Sequence, residues 1–332
     1  MNRKPRILVV GSFVMDLITS TRVFPGPGET VLGETFTTAP GGKGANQAVQ
    51  AARLGADVTM VGKVGRDAFG QALTGSMQGA GVHTEHVALD ERAPSSIGNI
   101  TLERFPDGSS RNRIIVVPGA NMTITPEDIA FLEKEIASFD MVMLQFEIPM
   151  DIDVRVARLA QKAGVPVMVN PAPAAPIPEA LMACATYLSP NEHEAAAITG
   201  IPIRVEGGVN LQDVQAVADA LRARGARNLL VTLGENGAAI AGEGGVTHVP
   251  SVPDVAVADP TAAGDSFVAA FCTGVCAGLD PRQAIDFARN TAAITVSRMG
   301  AQPSLPTLDE VIAAMQAHAE PGFDFAKLDC LR

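Results

Sequence analysis

The stretch Asp259-Pro260-Thr261-Ala262-Ala263-Gly264-Asp265-Ser266 puts a carboxylate at the mouth of a helix, since an apolar run from Phe267 to Leu279 follows it directly. A helix N-terminus presents unpaired N–H groups and the positive end of a dipole, so it attracts anions. Ala262, Ala263 and Gly264 are small enough to let a phosphate reach that backbone. Asp265 would repel the same phosphate, unless it takes a proton from a hydroxyl that attacks a phosphoryl group parked beside it. The plainer alternative for these residues alone is a capped helix with Asp265 as part of the cap.

A second cluster reads Pro40-Gly41-Gly42-Lys43-Gly44-Ala45-Asn46-Gln47-Ala48. It fails as a phosphate-binding P-loop, because Thr37 stands where the first glycine belongs and Gly44 where Ser or Thr must hold magnesium. No G-x-G-x-x-G opens a helix after the first strand, which excludes a dinucleotide fingerprint. What remains is a glycine-permissive turn that brings Lys43 and Asn46 to one face of a helix start. There they can donate hydrogen bonds to a polyhydroxylated ligand, or simply belong to a tight turn with a solvated lysine. Asn191 and Glu194 open another helix after a strand and Pro190, with the spacing of a capping box; the functional alternative is that they hold water around magnesium. His193 between them reads as exposed. Asp16 and Glu147 each follow a strand end, where ligands collect in open α/β sheets, and Thr232-Leu233-Gly234 is a strand-end turn whose hydroxyl and N–H groups can meet phosphates.

The elements that must position these residues alternate. Apolar runs ending in glycine or polar residues predict strands at 6–11, 58–64, 141–146, 165–170, 187–189, 229–233 and 238–241. Helical patterns fall at 44–54, 67–79, 151–163, 192–199, 211–224, 263–277, 281–298 and 308–317. Strands alternating with helices imply a mostly parallel sheet covered on both faces. Segments 13–40 and 95–117, the latter with strands at 96–103 and 113–117 around a turn at Pro106-Asp107-Gly108, lack the helical period. They predict a small separate sheet lying over the site as a lid. One domain over 1–318 is expected, with 319–332 as a peripheral C-terminal extension.

Composition narrows the partners. With 25 basic against 36 acidic residues the net charge is −11, which argues against general affinity for nucleic acid or an acidic membrane surface. A local anion site remains compatible with that balance. The apolar run from Ile7 is too short for a signal-peptide core or a membrane span, and no later apolar stretch is long enough to span either. The four cysteines, Cys184, Cys272, Cys276 and Cys330, lack metal-ligand spacing and fit a reduced, cytoplasmic protein.

Taken together, the two glycine-containing signatures resemble those of the ribokinase branch of the PfkB carbohydrate kinase family. So do Phe24-Pro25-x-Pro27-Gly28-Glu29-Thr30, Asn170-Pro171-Ala172-Pro173-Ala174, Pro190-Asn191-Glu192 and Gly300-Ala301-Gln302-Pro303-Ser304. The resemblance covers about residues 6 to 318. It implies a ribokinase-like three-layer α/β fold with a β-sheet lid that also clasps a homodimer, and ATP-dependent phosphorylation of a furanose at its 5-hydroxyl. By likeness Asp265 is the base, and the N–H groups of Ala262, Ala263 and Gly264 form the anion hole. Asp16, Gly42, Lys43, Asn46, Glu147 and Asp265 correspond to the sugar site. Asn191, Glu194, Thr232, Gly234 and Gly264 correspond to the nucleotide side, with Asn290 near the adenine and Mg2+ held through water by Asn191 and Glu194. Asp259, Thr261, Thr295, Arg298, Gly300 and Ser304 occupy the positions of a K+ site.

Two residues depart from the family pattern. Pro260 replaces a usual Thr and removes an N–H just before the anion hole. Val14 replaces a usual Asn two residues before the sugar-binding aspartate, in the manner of 2-deoxyribose kinases. The implied substrate is therefore D-ribose, 2-deoxy-D-ribose or both. A fructokinase, a nucleoside kinase and a non-catalytic sugar-binding regulator are the alternatives.

Overall fold

The computed structural model describes residues 3–332 apart from Pro106, Gly108, Glu243, Ala319 and Pro321. The expected turn at 106–108 thus lies largely outside the described residues. In chain order the strands are β1 (Arg6–Val10), β2 (Val14–Thr21), β3 (Thr35–Gly41), β4 (Asp57–Gly65), β5 (His83–Asp90), β6 (Ile97–Arg104), β7 (Ser110–Val117), β8 (Met141–Gln145), β9 (Val167–Asn170), β10 (Tyr187–Leu188), β11 (Asn228–Thr232), β12 (Ala238–Gly242) and β13 (Gly245–Val249). The helices are α1 (Lys43–Arg53), α2 (Ala68–Gly79), α3 (Leu132–Glu135), α4 (Met150–Ala163), α5 (Glu179–Met182), α6 (Glu192–Thr199), α7 (Leu211–Ala223), α8 (Ala263–Cys276), α9 (Pro281–Val296) and α10 (Leu308–Ala317).

The main sheet runs β13-β12-β11-β10-β9-β8-β1-β4-β5. Every pairing from β11 through β5 is parallel, and only the β11–β12 and β12–β13 pairings at one edge are antiparallel. Both faces are covered, and β1 shows how. Ile7 and Val9 pack into a core with residues of α1, α2, α8, α9 and α10, whereas Leu8 and Val10 point into a second core with residues of α4, α6 and α7. A strand buried on both sides has no polar face to alternate with, which is why β1 reads as a continuous apolar run.

Local chemistry sets the helix ends. Asp280 caps α9 by accepting from the Gln283 N–H, with Pro281 at the first helical position. Gly164 stops α4 in the left-handed conformation. Helix α8 is buried along almost its whole length, in keeping with its apolar sequence.

The second sheet is β3-β2-β6-β7, the small sheet expected from 13–40 and 95–117. The chain crosses from one sheet to the other at Gly11–Phe13. There Asn121 clamps the backbone, its Oδ1 accepting from the Phe13 N–H and its Nδ2 donating to the Phe13 carbonyl. Strands β5 and β13 were not expected. Both are edge strands with half-exposed, polar-bearing sequences, HTEHVALD and GVTHV, so neither needs the apolar run that betrays a central strand. The C-terminal segment, read as a peripheral extension, ends in a 3₁₀ turn over Phe325–Leu331. Leu328 and Leu331 of that turn are buried in the core beneath α1.

Candidate active site

The C-terminal ends of the parallel strands meet α1 and α8 in one cleft. Ser12 follows β1, Glu147 follows β8, Asn170 ends β9, Ser189 and Asn191 follow β10, and Thr232 ends β11. Parallel strands all deliver their exits to the same edge, so residues far apart in sequence converge there. A cavity of about 220 Å³ opens at this edge, lined by Lys43, Asn170, Ser189, Asn191, Glu194, Thr232, Ala262, Gly264 and Asp265 among others.

Two glycines explain how α1 reaches it. Gly42 has φ 95°, and a β-carbon there would stand 2.8 Å from the Val14 backbone nitrogen. A β-carbon on Gly44 would lie 2.6 Å from the Ser12 nitrogen and 2.8 Å from the Gly11 backbone. The helix start therefore lies flat on the β1 exit, a contact only glycine allows. The Gly44 N–H donates to Ser12 Oγ at 3.3 Å, Ser12 Oγ donates to Glu147 Oε2 at 2.5 Å, and the Lys43 N–H donates to the same Glu147 oxygen at 3.0 Å. These glycines seat Lys43 and Glu147 at the β1 exit.

Asp265 lies in the first turn of α8, buried against α1. Asn46 Nδ2 donates to its Oδ2 at 2.9 Å and Gln47 Nε2 to its Oδ1 at 3.2 Å. Burial raises the Asp265 carboxyl above the usual carboxylate range; Lys43 and the two amide donors pull the other way. Asp265 in turn raises Lys43, against the effect of its own burial. A desolvated carboxyl whose rise is tempered by an adjacent cation suits proton abstraction.

On the lid side, Val14 and Asp16 share one face of β2 by the two-residue period of a strand. A β-carbon on Gly98 of β6 would stand 2.5 Å from Asp16 Oδ1 and 3.6 Å from Val14 Cγ1, so the three positions form one wall. Burial, with a contribution from Glu147, pushes the Asp16 carboxyl up to about 6.

The start of α8 is bent to leave donors free. Ala262 holds φ 61°, one of two non-glycine residues in the left-handed region among those described. The Ala263 N–H donates to the Pro260 carbonyl at 3.2 Å. Of the three expected anion-hole donors, Ala263 is therefore already engaged, while Gly264 has no such partner among the described residues. Strain held at a non-glycine residue next to reactive groups marks a functional turn.

Asn191 and Glu194 form the reciprocal capping box and also line the cavity. Their Oδ1 and Oε2 atoms each accept a backbone N–H. Among the described residues no cluster of three or more His, Cys, Asp or Glu side chains is gathered for a metal. A Mg2+ ion here would be held mostly by phosphates and water, as that ion prefers.

Asp259 bridges two segments of the expected K+ positions, accepting from the Thr261 N–H and Oγ1 and from the Gly300 N–H. Burial pushes its carboxyl up, but these bonds hold it below the ordinary value. The hydroxyls of Thr295 and Ser304 turn to the carbonyls of Thr291 and Ala301, and the Arg298 guanidinium pairs with Glu310. Apart from Asp259, that set can offer a cation backbone oxygens and the lone pairs of hydroxyls that have already donated their hydrogens.

Two expected residues do not join the cavity. Asn290 is buried in α9 and its amide donates to the Asp286 carbonyl and to Glu320. Gly234 opens a 3₁₀ turn beyond Thr232 with φ 55°, outside the lining residues. Conversely, Ser12, Gln47 and Asn170 are tied into the site without having been singled out. Gln47 and Asn170 lie within the quoted signatures, and Ser12 follows a strand exit.

Residues 4–308 match the family model for pfkB family carbohydrate kinases. The chain belongs to the pfkB carbohydrate kinase family, in its ribokinase branch. It is 39% identical to a ribokinase of Bacillus subtilis over 305 residues, covering 92% of this chain and 97% of that one. It is 33% identical to a deoxyribokinase of Salmonella typhi over 305 residues, covering 92% and 96%. The structure of an Arabidopsis thaliana ribokinase complexed with ribose and ATP superposes with a TM-score of 0.86 at 31% identity, covering 95% of this chain and 99% of that one. The chain is thus a ribokinase-type sugar kinase, and the parallel sheet with its separate lid is the fold of that group.

Proposed function

We propose that the chain transfers the γ-phosphoryl group of ATP to the 5-hydroxyl of D-ribose, and that Val14 also admits 2-deoxy-D-ribose. The observation that carries this is the position of Asp265, a buried carboxylate shared between Asn46 and Lys43 on the sugar side and the bent, donor-rich start of α8 on the other. Asp16, Lys43, Asn46 and Glu147 orient the sugar, with Gly42 keeping its backbone close. The hydroxyl gives its proton to Asp265 as its oxygen bonds to the phosphorus, and the bond from that phosphorus to the ADP oxygen breaks. Charge on the transferring oxygens is met by the N–H groups of Ala262 and Gly264.

Asn191, Glu194 and Thr232 face the phosphates, and Mg2+ when bound neutralises their charge. A K+ ion beside Asp259, held by backbone oxygens of Thr261, Thr295, Arg298 and Gly300, would steady the anion hole. Exposed Ile114, Ile115, Val116 and Val117 on β7 leave both faces of that edge strand apolar and open. Such an edge invites cover by a second copy, in support of a homodimer clasped through the lid. Four free thiols are compatible with a cytoplasmic setting.

The second sugar has its own support. A pocket that lacks a polar partner for a hydroxyl rejects the deoxy analogue weakly, and Val14 sits at the wall beside Asp16. The deciding experiment is coupled ATP consumption across ribose, 2-deoxyribose, fructose and nucleosides, with K+ and Na+ compared. Turnover on a pentose, faster in K+, is expected. Turnover confined to fructose or nucleosides would overturn the assignment.

A further inference from the structure

Gln47 sits at the centre of a buried amide chain whose direction is dictated from one end. The Ser189 backbone carbonyl can only accept, so the Asn170 Nδ2 that meets it at 2.8 Å must donate. That turns Asn170 Oδ1 toward Gln47, whose Nε2 donates to it at 3.1 Å. The same Nε2 carries its second hydrogen to Asp265 Oδ1 at 3.2 Å. Gln47 Oε1 is left to accept from Gln145 Nε2 at 2.6 Å. Gln47 cannot reverse its amide without opposing two acceptors to its oxygen. Asn46 is not constrained in this way, because its Oδ1 is buried and without a partner among the described residues.

We infer that Gln47 is a positioning residue for the phosphoryl transfer: it holds Asp265 Oδ1 with a donor of fixed direction, so that Oδ2, beside Asn46, is the oxygen that takes the hydroxyl proton. This rests on the reading of Asp265 as the base. Each oxygen keeps a second lone pair, but only a proton on Oδ2 can be met by its neighbour, because the Asn46 amide can turn its unpartnered Oδ1 to accept while the Gln47 amide cannot turn. The charged groups facing the carboxyl are Lys43 from α1 and Glu147 from the β8 exit, and neither touches Gln47 in the chain of bonds.

The test follows the Asp265 carboxyl directly, by ¹³C NMR of aspartate-labelled protein assigned by difference against Asp265→Asn, together with the pH profile of kcat. In Gln47→Met, a near-isosteric change, the Asp265 titration should rise by about one pH unit, since a hydrogen bond to the charged form is lost. The acid limb of kcat should rise with it, while the sugar KM changes less than about twofold. Gln47→Glu should move both further, because a second carboxylate then opposes Asp265. Gln145→Met, which leaves both Gln47 donors in place, should move the titration by no more than a few tenths of a unit. An unchanged Asp265 titration in Gln47→Met, or an equal shift in Gln145→Met, overturns the inference. A carboxyl that moves while the kcat limb stays put overturns the base assignment itself, a result read separately from the first.

Discussion

Replacing Asp265 by Asn separates the two roles that its position allows. The side chain accepts from Asn46 on one oxygen and from Gln47 on the other. An Asn keeps its Oδ1 toward Gln47, whose amide cannot turn, and sets its NH₂ against Asn46, whose unpartnered Oδ1 turns to accept it. No hydrogen bond is lost. Burial already disfavours the ionised carboxylate, and its removal offsets the lost attraction to Lys43, which still faces Glu147 and the open cleft. Stability should therefore change by no more than about 1–2 kcal/mol. Turnover has no such compensation, because the amide cannot accept a proton, and a positioned base contributes about 10²–10⁴-fold. Coupled ATP-consumption kinetics on the sugar should show kcat down by that factor with sugar KM within severalfold of the parent, and urea denaturation should show the fold intact. A variant within tenfold of the parent kcat would reduce Asp265 to a helix-cap residue and refute the mechanism.

Three further outcomes are expected. Gly44→Ala drives a β-carbon into the Ser12 and Gly11 backbone, so denaturant unfolding should show a loss of about 1–3 kcal/mol, with turnover falling as Lys43 shifts. Asp16 has a folded-state pKa of about 6 against 3.8 in the free state, so the folded protein holds the extra proton between those values and loses stability as pH rises through them. Asp16→Asn should then raise stability by about 3 kcal/mol above pH 6, with no gain below about pH 4, while sugar binding measured by calorimetry collapses; equal stability at both pH values would contradict that. Val14→Asn should raise the ribose to 2-deoxyribose ratio of kcat/KM by about tenfold or more, and an unchanged ratio would show that Val14 does not select the sugar.

The central strands and long helices were legible because each carries its own pattern: β1 is apolar throughout, and α8 is apolar after a polar first turn. Edge strands β5 and β13 were not, since half of each faces water and leaves no run to read. The placing of Lys43, Asn46, Asp265, Asn191 and Glu194 at helix starts was legible because local motifs carry it. The direction of the Asn290 amide was not legible, because a helix position does not say which side the side chain faces; it donates to Asp286 and Glu320.

By itself the chain determined the family and the class of reaction, through signatures spread from residue 24 to residue 304. Residues 259–265 alone fit a capped helix as well as an anion-binding start, because a helix terminus attracts a capping carboxylate and a phosphate alike. Only the tertiary structure decided how that carboxylate is aimed. Gln47, Asn170 and Ser189 lie on three different elements, and a hydrogen-bond chain acquires its direction only when folding brings a one-way acceptor, the Ser189 carbonyl, to its end.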